Sequence, residues 1–254
     1  MGNRRITIFK KVHRMLGGQT LSKFKFLETL DVSSIDFKEE LDKVILWNEV
    51  ALNGKHNYSP AAIERQYGLC LEEYKEFVEA VDTGNLVEVV DALCDLFVVT
   101  SYWCFLNGKT PPTHGFVTEF SDICEQVYYP VKNYKTDEIN IPNLFETVCT
   151  ALASCYKGKE CLQNVLESNQ SKFLLKDYLD DKSILPEVVA SNIEIKSNGR
   201  YKNVVHLVSK VFDKTQNKDV EYVLFRCDNG AGKIVKPFMF VEPNIEEIIK
   251  DKLI

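Results

Sequence analysis

The stretch LVEVVDALCDLFVVTSYWCFL, residues 86–106, constrains this chain more than any other. Its apolar residues run round most of a helical circumference, and such a helix has to be enclosed by others. Only a helix-rich body can do that. Two carboxylates, Asp91 and Asp95, interrupt the apolar run, and a buried carboxylate is costly enough to demand a partner, a cation or a shifted pKa. The stretch from Leu96 to Leu106 is broken by Thr100 and Ser101 and falls short of the roughly 20 apolar residues of a membrane span. The helix therefore reads as the central one of a folded core, with no membrane partner.

Helical periods flank it on both sides. Residues 37–53 repeat apolar positions at helical spacing up to Gly54, and NYSP then supplies a turn and cap before a second helix over 61–81. Asp82, Thr83 and Gly84 end that helix, and Asn85 caps the central one. After NGKTPP the pattern predicts a helix over 116–127, then helices in NLFETVCTALASCYKG and KECLQNVLESNQSK. Beyond about Pro186 the texture turns to Val, Tyr and Phe. RYKNVVHLVSKVF and VEYVLFRCD, separated by DKTQNKD, read as a hairpin, KIVKPFMFV as a third strand, and the last ten residues as a short closing helix. The expected fold is mainly α: a helical-bundle body over 37–185 with a small antiparallel β appendage over 186–254. Residues 1–36 form an N-terminal extension with only a weak helical pattern and no assigned role.

Composition removes several classes. A chain 45% hydrophobic and 27% charged, with 12 Gly and 8 Pro in 254 residues, is neither disordered nor collagen-like. The net charge of −6 comes without a basic stripe, so no nucleic-acid partner is expected. The basic start MGNRRITIFKKVHRMLGGQT has no apolar h-region or cleavage site, and Ile6 and Thr7 do not fit a myristoylation motif. A cytoplasmic location is the expectation. The eight cysteines form no C-x-x-C pair and sit in apolar helical patterns, and the four histidines are scattered, so core packing is favoured over disulfides or zinc.

The chemistry concentrates in LEEYKEF and VEVVDALCD. Glu73 and Glu76 are three apart, while Glu88, Asp91 and Asp95 stand at i, i+3 and i+7, so each set lines one face of its helix. A tight turn at Gly84 would bring the two faces together and place four or five carboxylates in one pocket. Their repulsion calls for a divalent cation, and an oxygen-only ligand set favours Mg²⁺, or Mn²⁺, over zinc. For Glu72 and Glu73 alone a solvated helix face is the simpler reading. Asp91 and Asp95, set in an apolar helix, tip the balance to a metal site.

This E-x-x-E followed by E-x-x-D on paired helices resembles the signature of the all-α nucleoside triphosphate pyrophosphohydrolases, which include MazG, phosphoribosyl-ATP pyrophosphohydrolase and dimeric dUTPase. Eleven residues lie between Glu76 and Glu88, slightly fewer than the generic pattern. That spacing, with the extra Asp95, is similar to the phosphoribosyl-ATP-pyrophosphohydrolase-like branch common in phage genomes. ESNQSKF, residues 167–173, is similar to that branch's S-N-x-S-K element, and the β-rich tail to its appendage. An unfamiliar insert lies near 112–140.

The resemblance implies an enzyme that cleaves (deoxy)nucleoside triphosphates between the α and β phosphates, giving monophosphate and pyrophosphate. Glu73, Glu76, Glu88 and Asp91 would act catalytically and hold Mg²⁺, with Asp95 completing the shell. Asn169 and Lys172 would approach the substrate's phosphate or base, although a helix C-terminus explains them equally well. Asn48, beside Trp47, is a further substrate candidate against a plain packing role. Lys233 and Lys236 flank the third strand, where a solvated surface is the better reading. A homo-oligomer, dimer or tetramer, is implied, in the host cytoplasm where a phage encodes the chain. The alternatives are a catalytically silent nucleotide-binding or protein-interaction module on the same fold, and a hydrolase of a special nucleotide such as phosphoribosyl-ATP. No Walker loop and no G-x-S-x-G elbow is present, and GAGK at 230–233 lacks the rest of a P-loop.

Overall fold

Ser59 opens the longest helix: its Oγ accepts a hydrogen bond from the Ala62 N–H at 3.3 Å, and Pro60 occupies the first helical position. Gly84, at φ 69°, closes that helix in the left-handed conformation that glycine adopts without strain. Asn85 then caps its successor, with Oδ1 accepting from the Glu88 N–H at 3.4 Å. These four residues fix where the central hairpin begins, turns and resumes.

The computed structural model describes residues 34–130, 132, 138–213, 217–227 and 234–253. The expected weak helix near the N-terminus, Lys233 and the GAGK turn lie outside them. In chain order the elements are β1 (Ser34–Asp36), α1 (Lys38–Ala51), α2 (Pro60–Thr83), α3 (Leu86–Leu106), β2 (His114–Phe116), α4 (Phe120–Tyr128), α5 (Ile141–Ser154), α6 (Gly158–Gln170), β3 (Leu174–Leu175), α7 (Lys176–Asp181), α8 (Pro186–Lys196), β4 (Val205–Asp213), β5 (Lys218–Arg226) and α9 (Ile245–Ile249), followed by a 3₁₀ turn. The fold is mainly α with a small antiparallel sheet toward the C-terminus, as the sequence led one to expect.

The packing units run differently from the segments read along the chain. Of the described residues, those up to Leu41 with those of Ser59–Asn164 and Asn244–Ile254 form one unit, and those of Asp42–Tyr58 and Val165–Pro243 the other. Helix α1 and helix α6 contribute to both.

In the helical unit α3 packs against α2 and α5, and α5 against α4. Phe97 of α3 is fully buried, its ring 5.8 Å from Phe37 and 5.3 Å from Phe145. By length and composition α3 qualifies as a membrane span, but most of it is buried within this unit, as befits a core helix. A two-stranded ladder of β1 and β2 lies against α5. There Gly115 is required by close approach, since a Cβ would stand 2.1 Å from the Cys149 carbonyl oxygen. All eight cysteines are free and buried, the small core residues the sequence suggested.

The second unit is built on a three-stranded antiparallel sheet in the order β3-β5-β4. The period of two in β5 divides its side chains between two cores. Val223 and Phe225, with Cys227 just beyond, join Leu179, Val189 and Ile193 of α7 and α8, whereas Val220, Tyr222 and Leu224 join Val50, Ala51, Phe173 and Val211. The hairpin is thus as expected, but the third strand is not. KIVKPFMFV supplies only an isolated bridge between Ile234 and Arg226, and the strand that completes the sheet is Leu174–Leu175. Pro237, with no N–H to donate, is a poor member of a ladder. Helix α8 also lies where the sequence texture pointed to strands, since its Val and Ile content masked Pro186 as a helix start.

Candidate active site

Two residues separate α2 from α3, so the helices run antiparallel and positions equidistant from the turn stand level. At about 1.5 Å per residue from the middle of the turn, Glu76 stands about 13 Å away and Asp91 about 10 Å, and Glu73 about 17 Å and Asp95 about 16 Å, so the members of each pair lie within one helical turn of the same height. Glu88 lies lower, in the first turn of α3, where the helix dipole favours a carboxylate.

Electrostatics supports this pairing. The Asp91 carboxyl is pushed above the ordinary aspartate range, first by burial and then by the negative charges of Glu88 and Glu76. Three of the five sequence-predicted carboxylates therefore share one neighbourhood. Asp91 and Asp95 are half-buried, as is Glu73, while Glu76 and Glu88 are exposed. Two buried thiols lie within electrostatic reach of Asp91. Burial raises Cys94 well above its usual range, with Cys161, Asp95 and Asp91 adding to the effect, and Cys161 of α6 is pushed up to about 12 by burial, Glu160 and, among the smaller contributions, Asp91. These buried cysteines stay neutral and offer Asp91 no counter-charge.

The donor set is oxygen-only, the kind a hard divalent cation takes. Among the described residues no three Asp, Glu, His or Cys side chains are drawn together tightly enough to form a coordination shell by themselves. Glu76 and Glu88 stand near enough to Asp91 for their charges to act on it.

The other predicted substrate residues belong to the second unit, and there the structure brings two of them together. Lys172 Nζ donates to Asn169 Oδ1 at 2.6 Å and lies 5.8 Å from the Trp47 ring centre. The Trp47 indole stacks on Phe173 at 5.2 Å and donates from Nε1 to the Asn169 carbonyl at 2.8 Å. Ser171 Oγ accepts from the Val241 N–H at 3.0 Å, fixing the ESNQSK segment from its other side. Asn48 is turned back on its own helix, donating from Nδ2 to the Val44 carbonyl at 2.9 Å. Lys236 lies 4.2 Å from the Phe240 ring centre and pairs with Glu242 at 2.7 Å.

One charged cluster escaped the sequence reading. Glu40 of α1 is fully buried, with Oε1 accepting from Gln163 Nε2 at 2.8 Å and Oε2 3.4 Å from Lys159 Nζ. Lys159 also donates to the Asp36 carbonyl at 2.8 Å. In KEELDK, Glu40 looks like any other residue of a solvated face. Only its spacing of three from Phe37, which puts both on one side of α1, could have marked it.

The family model for phosphoribosyl-ATP pyrophosphohydrolase matches residues 46–111. The matched segment holds all five carboxylates and Asn48, and is consistent with the all-α pyrophosphohydrolase superfamily that the carboxylate pattern resembles. Asn169 and Lys172 fall outside it. The match supports a pyrophosphohydrolase activity for the helical hairpin. No curated protein and no solved structure matches the chain significantly.

Proposed function

We propose that the protein hydrolyses a nucleoside or deoxynucleoside triphosphate between the α and β phosphates, releasing monophosphate and pyrophosphate. The observation that carries this reading is Asp91, a half-buried carboxylate on an apolar helix with the charges of Glu76 and Glu88 turned on it. An arrangement that raises a carboxyl pKa in this way is strained until positive charge arrives. Glu73, Glu76, Glu88, Asp91 and Asp95 would hold Mg²⁺ or Mn²⁺, with water and phosphate oxygens completing a shell the protein leaves open. A bound divalent ion supplies charge neutralisation and lowers the pKa of water. Within the cluster one carboxylate takes the proton of the attacking water as the new P–O bond forms, and pyrophosphate departs with the electrons of the broken bond.

Lys172 and Asn169, locked to one another beside the Trp47–Phe173 stack, would bind the substrate's phosphate or base. The reading places the chain in the phage-type branch, as a homo-oligomer in the cytoplasm.

The test is product analysis. The purified chain is incubated with Mg²⁺ and a panel of nucleoside triphosphates and phosphoribosyl-ATP, beside Glu76→Gln. Monophosphate and pyrophosphate from the native chain, and none from the variant, are expected. Turnover of phosphoribosyl-ATP alone would narrow the substrate to that special nucleotide, and diphosphate with phosphate would refute the bond assignment. Intact nucleotide throughout would leave a binding module.

A further inference from the structure

Helix α2 carries a second constellation on another side. At about 100° per residue, Tyr74, Lys75 and Val78 point away from the face that bears Glu73 and Glu76. They wall one side of an open cleft of about 500 Å³, flanked on the other by Tyr128, Tyr129, Pro130 and Lys132, with Glu79 also lining it. That is within the ~300–1,000 Å³ usual for small-molecule sites.

Its aromatic frame is fixed without a ligand. Tyr74 Oη donates to the Tyr128 carbonyl at 2.7 Å, and Tyr128 Oη donates to Asp82 Oδ1 at 2.9 Å. The Tyr128 and Tyr129 rings meet edge to face, 4.8 Å apart and inclined at 72°. With two hydroxyls committed to these bonds, what the cleft offers is ring surface, including a Tyr129 that is 46% exposed. Lys75 and Lys132 line the same cleft, and among the described residues neither has an ion-pair partner. Aromatic surface, two unpaired ammonium groups and one carboxylate form a complementary set for a flat, amine-bearing ring attached to an anion.

We propose that this cleft is a second nucleotide site, distinct from the carboxylate face, which takes a purine nucleoside monophosphate. The base stacks on Tyr129, the phosphate meets Lys75 and Lys132, and Glu79 accepts from the exocyclic amine. A mononucleotide fits better than a nucleic-acid strand, because the chain's net charge of −6 offers no basic track for a phosphate backbone. The inference rests on the proposed function only for the source of the ligand, since the monophosphate is the product of that reaction.

Titration of the full chain with AMP in EDTA, followed by tyrosine fluorescence, separates the two sites, because the proposed catalytic site needs a divalent ion. AMP is expected to bind, with adenosine and inorganic phosphate each at least about tenfold weaker. Tyr129→Ala is expected to weaken AMP about tenfold or more, and Lys75→Gln, an exposed change that leaves the core untouched, by several fold. Glu76→Gln should bind AMP as the native chain does. No AMP binding, or binding lost in Glu76→Gln and kept in Tyr129→Ala, would overturn the site. So would a single-stranded oligonucleotide that binds more tightly than AMP and is weakened by the same variants. Nucleotide hydrolysis in Mg²⁺ by Tyr129→Ala reports separately on the proposed function.

Discussion

Helices α2 and α3 carry the same functional residue types, are joined by one turn, and differ in what surrounds them. Along α2 the buried residues are confined to Gln66, Cys70, Phe77, Ala80 and Val81, a single stripe. Along α3 burial runs round the helix from Val89 to Leu106. A carboxylate on α2 is therefore an ordinary amphipathic feature, while one on α3 is an exception that requires a cause. Asp91 shows that cause in its raised pKa, the product of burial and of two neighbouring charges. The same chemical group is cheap on one helix and expensive on the other, and the expensive one is the better guide to function.

The contrast can be broken or sharpened by substitution. The largest effect is expected at Phe97, where Phe97→Ala would open a void between Phe37 and Phe145 and cost about 3–5 kcal/mol, read as a fall in the denaturation midpoint. A loss under about 1 kcal/mol would mean that α3 is not the central helix. Next comes activity. Asp91→Asn and Glu76→Gln should each lower Mg²⁺-dependent kcat at least about a hundredfold, because both remove a charge from the proposed metal cluster. If only the Asp91 variant loses turnover, the α2 carboxylate is surface after all.

Asp91→Asn should also affect stability in a direction set by its pKa. Folded Asp91 keeps its proton to higher pH than the unfolded chain does, so the native state is penalised as pH rises from the ordinary value of 3.8 through the raised folded value. In chelator at pH 7 the variant should melt higher than the native chain, and the gain should fade as the pH drops below that window. A gain that did not change with pH would argue against the charged carboxylate as its source. Smaller again is the cap: Asn85→Ala should cost about 1 kcal/mol by leaving the Glu88 N–H without its acceptor. Smallest is Glu72→Ala on the exposed side of α2, expected within about 0.5 kcal/mol of the native chain.

The hairpin was legible because its signals are local. Ser59, Pro60, Gly84 and Asn85 act within three or four residues of their own positions, and the carboxylate faces follow from helical spacing alone. The sheet's third strand was not legible. Leu174–Leu175 is two residues long and pairs across a long stretch of chain with Val223 and Tyr222, so nothing in its own neighbourhood announces it, whereas KIVKPFMFV has strand composition and a proline that spoils it. Helix α8 was hidden for the same reason, since Val and Ile suit a strand as readily as a buried helix.

Among the candidate residues the same division holds. Glu73, Glu76, Glu88, Asp91 and Asp95 could be placed on two faces from the sequence because α2 and α3 are regular and a two-residue turn fixes their relative height. Asn48 could not be judged, since whether an amide points outward or back to the carbonyl four residues earlier depends on its rotamer. The bond between Lys172 and Asn169 and the burial of Glu40 depend on neighbours from distant parts of the chain.

What the sequence determined by itself was the period and punctuation of each helix, and hence the two acidic faces and the turn between them, because backbone geometry converts spacing into direction. Only the tertiary structure decided which polar groups are enclosed and by what. Burial is a property of the assembled chain, and it alone separates Asp91 from the exposed glutamates and Glu40 from the surface it resembles in the sequence.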